Sequence, residues 1–211
     1  MTGLRDRKKQ LVRRRIIEAA EALFVSNGLD ATTIEQIAAS ADVSVGTVYN
    51  YFGTKNALLV AGVESDTDEM VAEGRTVLSR PGTNPAKAVQ RLFAVYLDHL
   101  AGWEPQLLRE VLGASLAPIG GRELTVELAR LDERLLRQLV ELLSGFRERR
   151  RLNPAIGPAD AGMLLFSVLI THLFMFLALD DFDRSMLSAQ INRQVEIVFS
   201  GLAPPPTEKA K

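Results

Sequence analysis

The chain has 211 residues, 47% of them hydrophobic and 24% charged, with a net charge of −1. That is an ordinary globular composition, long enough to bury one or two cores. It contains no cysteine, which excludes disulfides, thiolate catalysis and cysteine-ligated metals.

Residues 1–15 carry seven cations (Arg5, Arg7, Lys8, Lys9, Arg13, Arg14 and Arg15) against Asp6. Residues 1–56 hold eight cations and six acids, so the remainder carries a net −3. A basic end on an otherwise acidic chain fits contact with phosphate at that end, although a solvated tail has the same composition. No apolar core follows the basic residues, so no secretory signal is read and the cytoplasm is the expected compartment.

Met1 to Arg7 is expected to be loose, with helical patterning from about Lys8. Ile16, Ala20, Leu23 and Phe24 form an apolar stripe, and Gly28 is a C-terminal stop. Residues 32–55, TTIEQIAASADVSVGTVYNYFGTK, read as two short helices around a tight turn. Thr32 with Glu35 fits a capping box, and Ile34, Ile37, Ala38 and Ala41 recur at helical spacing. Asp42 and Val43 interrupt, and Ser44 caps a second helix to about Tyr51. That helix contains Gly46, Val45, Thr47 and Val48, all mediocre helix formers, with Gly about 1 kcal/mol worse than Ala. It also gathers Thr47, Tyr49, Asn50 and Tyr51. Such a helix is poor scaffold and makes sense laid against a polar partner such as the major groove of DNA.

These residues resemble the DNA-binding end of the TetR family of bacterial transcription regulators. The resemblance runs from Ile16 to Leu59, through Phe24 and Gly28, Ala31-Thr32-Thr33, Ile37-Ala38, Val43-Ser44, Gly46-Thr47-Val48-Tyr49, Tyr51-Phe52, Lys55 and Leu58-Leu59. It covers about a quarter of the chain. Position 51, often histidine in the family, is Tyr51 here. The resemblance implies an all-α fold, a helix-turn-helix unit followed by a larger helical domain for ligand binding and dimerisation. It also implies that Lys55 touches a phosphate. Lys55 lies in the first turn of its helix, where the macrodipole disfavours a cation.

Thr54 caps a helix running through Leu58, Leu59, Val63 and Met70 towards Val77, the natural mechanical link between the two domains. Residues 80–85, RPGTNP, break the chain. Ala86–Leu100 reads as a helix with Val89, Leu92, Phe93 and Tyr96 inward. Gly102 to Pro105 is a break, Gln106–Leu116 a short helix, and Pro118 to Gly121 a loop. Glu123–Arg151 is long and amphipathic, with Leu124, Leu128, Leu131, Leu135, Leu139 and Leu142 on one side; Arg147 to Arg151 is a solvated cationic end. After a turn at Asn153 to Pro158, Ala161–Leu179 runs 19 residues without a charge. Length alone makes it a membrane-span candidate, but flanking acids and the lack of terminal Trp or Tyr argue for a helix buried between its own domain and a partner. Arg184 or Ser185 to Phe199 is the last helix, and residues 203–211 should be disordered. About nine helices and no strand are expected, with domains at 8–54 and 55–202.

The expected function is a ligand-responsive transcriptional regulator, most simply a homodimeric repressor on a palindromic operator. The helix-turn-helix spans 33–52, and the dimer pairs helices 161–179 and 185–199. Thr33 and Tyr49 are assigned to phosphate, and Thr47, Asn50 and Tyr51 to base edges or phosphates. Ser44 belongs to the same surface as the helix cap, and Gly46 lets backbone approach closely. The resemblance places an effector pocket in the larger domain. Phe93, Tyr96, His99, Trp103, Met163, Phe166, Phe174 and Met175 are its candidate lining for a largely apolar molecule, although any one of them fits plain core packing equally well. The alternative class is a membrane-associated helical protein using 161–179. The chain offers no nucleophile elbow, phosphate loop or paired metal-ligand motif, so no enzyme activity, metal or cofactor is expected; His172, in the apolar run, reads as a packed histidine.

Overall fold

The computed structural model describes residues 3–100, 103, 107–109, 122–179, 181 and 183–202. Among these the fold is all-α, with eight helices and no strand: α1 (Leu4–Asn27), α2 (Ile34–Ser40), α3 (Val45–Phe52), α4 (Lys55–Ser79), α5 (Pro85–Leu100), α6 (Arg122–Glu148), α7 (Pro158–Ala178) and α8 (Arg184–Leu202). Leu107 to Arg109 are also helical. The rest of the helix expected at 106–116, the loop at 118–121 and the tail from 203 lie outside the described residues.

Local chemistry sets most boundaries. Gly53 ends α3 with φ +74°, a left-handed conformation that costs other residues a Cβ clash. Thr54 then caps α4, accepting from the Ala57 amide at 3.0 Å. Asn84 caps α5 through the Lys87 amide at 3.1 Å, and Asp183 caps α8 through the Met186 amide at 2.8 Å. Among the boundaries that differ from expectation, two have a plain local cause. α1 begins at Leu4 rather than about Lys8, because Asp6 in its first turn accepts from the Gly3 amide at 3.3 Å and suits the helix dipole. α6 stops at Glu148 rather than Arg151. Arg150 turns left-handed at φ +56°, and the Arg151 amide donates back to the Phe146 carbonyl at 2.9 Å.

The chain packs as two units. One comprises residues 1–68 and 101–131, the other 69–100 and 132–211. The division falls inside α4 and inside α6. In the first unit, Ile16, Ala20 and Phe24 of α1, Ile37 and Ala38 of α2, Val48 of α3 and Leu58 of α4 share one core. Each large apolar side chain buried this way contributes roughly 1.5–3 kcal/mol.

In the second unit, α8 packs against α5 and α7. Val89, Leu92, Phe93 and Tyr96 of α5 are buried, as are Leu139, Leu142 and Leu143 of α6 and Leu165 and Leu169 of α7. A polar knot sits inside it. The fully buried Tyr96 hydroxyl donates to Gln138 Oε1 at 2.8 Å, and Gln138 Nε2 donates to the Val71 carbonyl of α4 at 2.8 Å. Burial pushes the Tyr96 phenol well above its ordinary pKa, so it stays a donor. The amide reaches α4 because residue 74 is glycine: a Cβ there would come within 2.3 Å of Gln138 Oε1.

Helix α7 is long and apolar enough to cross a membrane, with mean hydropathy 2.1 over a stretch that is 39% buried. Met163, Leu164, Ser167, Thr171 and Met175 are exposed along it, as are Met186, Ala189 and Ile197 on α8.

Replacing Gly74 by Ala must push Gln138 off both partners. The variant is expected to lose about 1–3 kcal/mol in thermal unfolding, although Ala is the better helix former.

Candidate nucleic-acid interface

Helices α2 and α3 meet at a turn of four residues, 41–44. Asp42 at its centre is left-handed at φ +53°, a conformation that Asp tolerates better than most residues. The turn is held from α1. Arg15 donates to the carbonyls of Ala41 and Asp42, the latter at 3.1 Å, and pairs with the Asp42 carboxylate at 3.6 Å. Nothing in the sequence pattern marked Arg15 for this role.

The cap of α2 is one residue later than expected. Thr33, not Thr32, is the N-cap: its hydroxyl accepts from the Gln36 amide at 3.2 Å, while Gln36 Oε1 accepts from the Thr33 amide at 2.8 Å. Thr32 is buried and donates to the carbonyls of Gly28 and Leu23 at 2.8 and 3.1 Å. Two adjacent threonines with Glu35 and Gln36 three residues beyond each give equal sequence signals for either register; burial of Thr32 decides between them.

Ser44 caps α3 as expected, accepting from the Thr47 amide at 3.1 Å, with its hydroxyl 2.8 Å from that of Thr47. Val48 faces the core, and Val45, Tyr51 and Phe52 pack against it. Gly46, Tyr49, Asn50 and Gly53 are exposed, a spacing of three, four and seven that makes one outward stripe. A Cβ at Gly46 would meet only Ser44 Oγ, at 3.9 Å. No internal packing demands this glycine.

Two candidates are tied down. The Tyr51 hydroxyl donates to the Lys9 carbonyl of α1 at 3.4 Å, and its ring is half-buried. Lys55 Nζ donates to the carbonyls of Asp30 and Thr32, both at 3.1 Å. This lysine therefore ties the α1–α2 connection to the start of α4, which explains a cation set against the dipole; an ammonium has three donors, so one remains. The basic turns of α1 lie nearby. The Arg13 guanidinium stands 5.5 Å over the Phe52 ring, and Arg7, Arg13 and Arg14 line an open cleft with Ser65 of α4.

The residues expected around an effector divide between the two units, all but Trp103 in the second. Phe93 and Tyr96 are neighbours, ring centres 6.3 Å apart, in the second unit, and His99 there lies 3.0 Å from Glu73. Phe166 is buried and Phe174 half-buried in the same unit. Trp103 belongs to the first unit, its indole donating to Asp66 at 3.2 Å. Met163 is 54% exposed and Met175 39%, so neither is enclosed by its own unit. His172 bonds the Val168 carbonyl one turn back at 2.8 Å.

Residues 16–61, from the second half of α1 through α2 and α3 into α4, match the model of the bacterial regulatory proteins of the tetR family. Over those residues the chain is similar to the TetR family. It is 34% identical over 82 residues to the HTH-type transcriptional repressor KstR of Rhodococcus jostii (strain RHA1), covering 39% of this chain and 37% of that one. The chain thus spans less than half the length of the curated relatives it matches. Solved structures extend the likeness to the whole fold. A TetR-family transcriptional regulator from Mesorhizobium loti superposes with a TM-score of 0.74 at 24% identity, over 91% of this chain and 96% of the other. Thermus thermophilus FadR, a TetR-family transcriptional repressor in complex with lauroyl-CoA, superposes with a TM-score of 0.67 at 24% identity, over 94% and 99%.

If Arg15 and Lys55 hold the unit together, Arg15→Ala and Lys55→Ala should each cost about 1–2 kcal/mol in denaturant unfolding without any DNA, as charged donors to backbone carbonyls do when removed. Unchanged midpoints would assign both side chains to solvent.

Proposed function

We propose that this protein is a homodimeric transcriptional repressor that lays α3 of each protomer in the major groove of a palindromic operator. The observation that carries the reading is the outward stripe of α3. Its glycine, tyrosine and asparagine have no packing role, yet two neighbouring helices and Arg15 hold them in place. Thr33, Ser44, Thr47 and Tyr49 would bind phosphate or base edges, with Gly46 allowing close approach, and the third donor of Lys55 would face a phosphate. The name of the Rhodococcus relative, a transcriptional repressor, supports the same reading.

One helix-turn-helix buries little surface, and two half-sites a helical turn or more apart supply the missing affinity. The partner copy would cover the uncharged outward face of α7 and the adjoining face of α8, forming a four-helix bundle. A membrane could cover that face instead. The two are separated by light scattering in detergent-free buffer: a dimer gives twice the 23.2 kDa monomer mass, whereas a membrane-associated chain aggregates or requires detergent.

The effector would be a small, largely apolar molecule bound in the second unit, near Phe93, Tyr96 and Phe166. The lauroyl-CoA of the Thermus neighbour makes an acyl chain the first class to try. Ligand would favour a state in which α4 is tilted and the recognition helices no longer match the half-site spacing.

Selection of the purified protein against sheared genomic DNA tests the reading. A palindromic site bound by a dimer more than a thousandfold over bulk DNA falls in the specific range, and recovery of no site would defeat it. On that site Tyr49→Phe and Lys55→Ala should weaken binding to all sequences and reduce the slope of log K against log salt. Gly46→Ala should leave the free protein as stable or slightly more stable, yet weaken binding at least tenfold.

A further inference from the structure

We propose that Asn50 is the side chain of α3 that reads a base pair, and that the base it takes is adenine; the inference rests on α3 entering the major groove.

The hydrogen bonds of the site lead there. Ser44 and Thr47 are bonded to one another, leaving a single hydroxyl donor between them. Tyr51 is turned to the Lys9 carbonyl and Lys55 to those of Asp30 and Thr32. Tyr49 is exposed but offers one phenol oxygen, enough for a phosphate and too little to distinguish two groups on a base edge. Asn50 is exposed, and its amide makes no hydrogen bond among the described residues. It is the one member of the outward stripe with a donor and an acceptor side by side. That pair matches the adenine edge in the major groove, where N7 accepts and the N6 amino group donates.

Gly46 makes the match accessible. Helical side chains lean towards the N-terminus, so the Asn50 amide lies over the turn that Gly46 occupies. With no Cβ at 46, and only Ser44 Oγ within 4 Å of where one would stand, a base edge can come up to the amide without meeting a neighbouring side chain.

The test is selection from a pool of DNA duplexes with randomised half-sites, run with the full-length chain and with Asn50→Ala and Asn50→Arg. The wild-type protein should enrich one column per half-site for adenine. Asn50→Ala should lose discrimination in that column by roughly 5- to 140-fold, the range of a bidentate base contact, with the other columns and the salt slope unchanged. Asn50→Arg should shift the same column to guanine, whose O6 and N7 suit a guanidinium. The proposal is overturned if Asn50→Ala returns the wild-type columns, if the lost column preferred another base, or if the salt slope falls by about one per protomer, the sign of a phosphate contact. A wild-type protein that enriches nothing would instead defeat the DNA-binding reading beneath it.

Discussion

An eight-residue helix with glycine in its first turn does not hold itself together in water. Isolated helices below about 12–15 residues are marginal even with good formers, and α3 has two valines, a threonine and a glycine among its eight residues. Every other feature of the first unit answers that weakness. Ser44 and Gly53 close its two ends. Val48 anchors it in a core shared with α1, α2 and α4. Arg15 fixes the turn before it and Lys55 the helix after it. The stability that α3 lacks comes from tertiary packing, which leaves its outer stripe free to be chosen for something other than helix formation.

The parts of this arrangement that are local were legible in the sequence. Ser44, Thr54 and Gly28 act on amides or dihedrals within a few residues, so their types and positions announced them. The fold class followed from helical spacing, as in α5, where Val89, Leu92, Phe93 and Tyr96 are all buried. What escaped depends on residues far apart in the chain. Arg15 and Asp42 are 27 positions apart, and no pattern in either neighbourhood links them. The resemblance assigns Lys55 to a phosphate, and a dipole environment wrong for a cation points the same way; the carbonyls of Asp30 and Thr32 that also satisfy it become visible only once the chain is folded. Arg150 is a residue type that rarely turns left-handed, so the early end of α6 had no sequence signal. Trp103 sits in the first unit through a bond to Asp66 that its position near the expected pocket residues did not foretell.

The second unit shows a different economy. Among the described residues its interior is aliphatic and aromatic except for Tyr96 and Gln138, which bond one another and reach the Val71 carbonyl of α4. A buried polar network of this kind specifies one helix register, because any other leaves its groups unpaired at a cost of about 1–3 kcal/mol each. α4 runs from Lys55 to Ser79 without interruption. The helix gripped here by Gln138 is therefore the one whose first residue steadies the α2 connection.

The absence of cysteine from the chain allows one direct test of the central claim, that the outer stripe of α3 faces the DNA. A DNA-cleaving iron chelate would be attached through a single introduced thiol, at Tyr49→Cys in one protein and at the exposed Thr83→Cys in another, each bound to a fragment recovered by selection. The account predicts cuts from position 49 grouped symmetrically within the two half-sites, and none from position 83. No cutting from position 49 of a bound protein, or the same cuts from both positions, would contradict it.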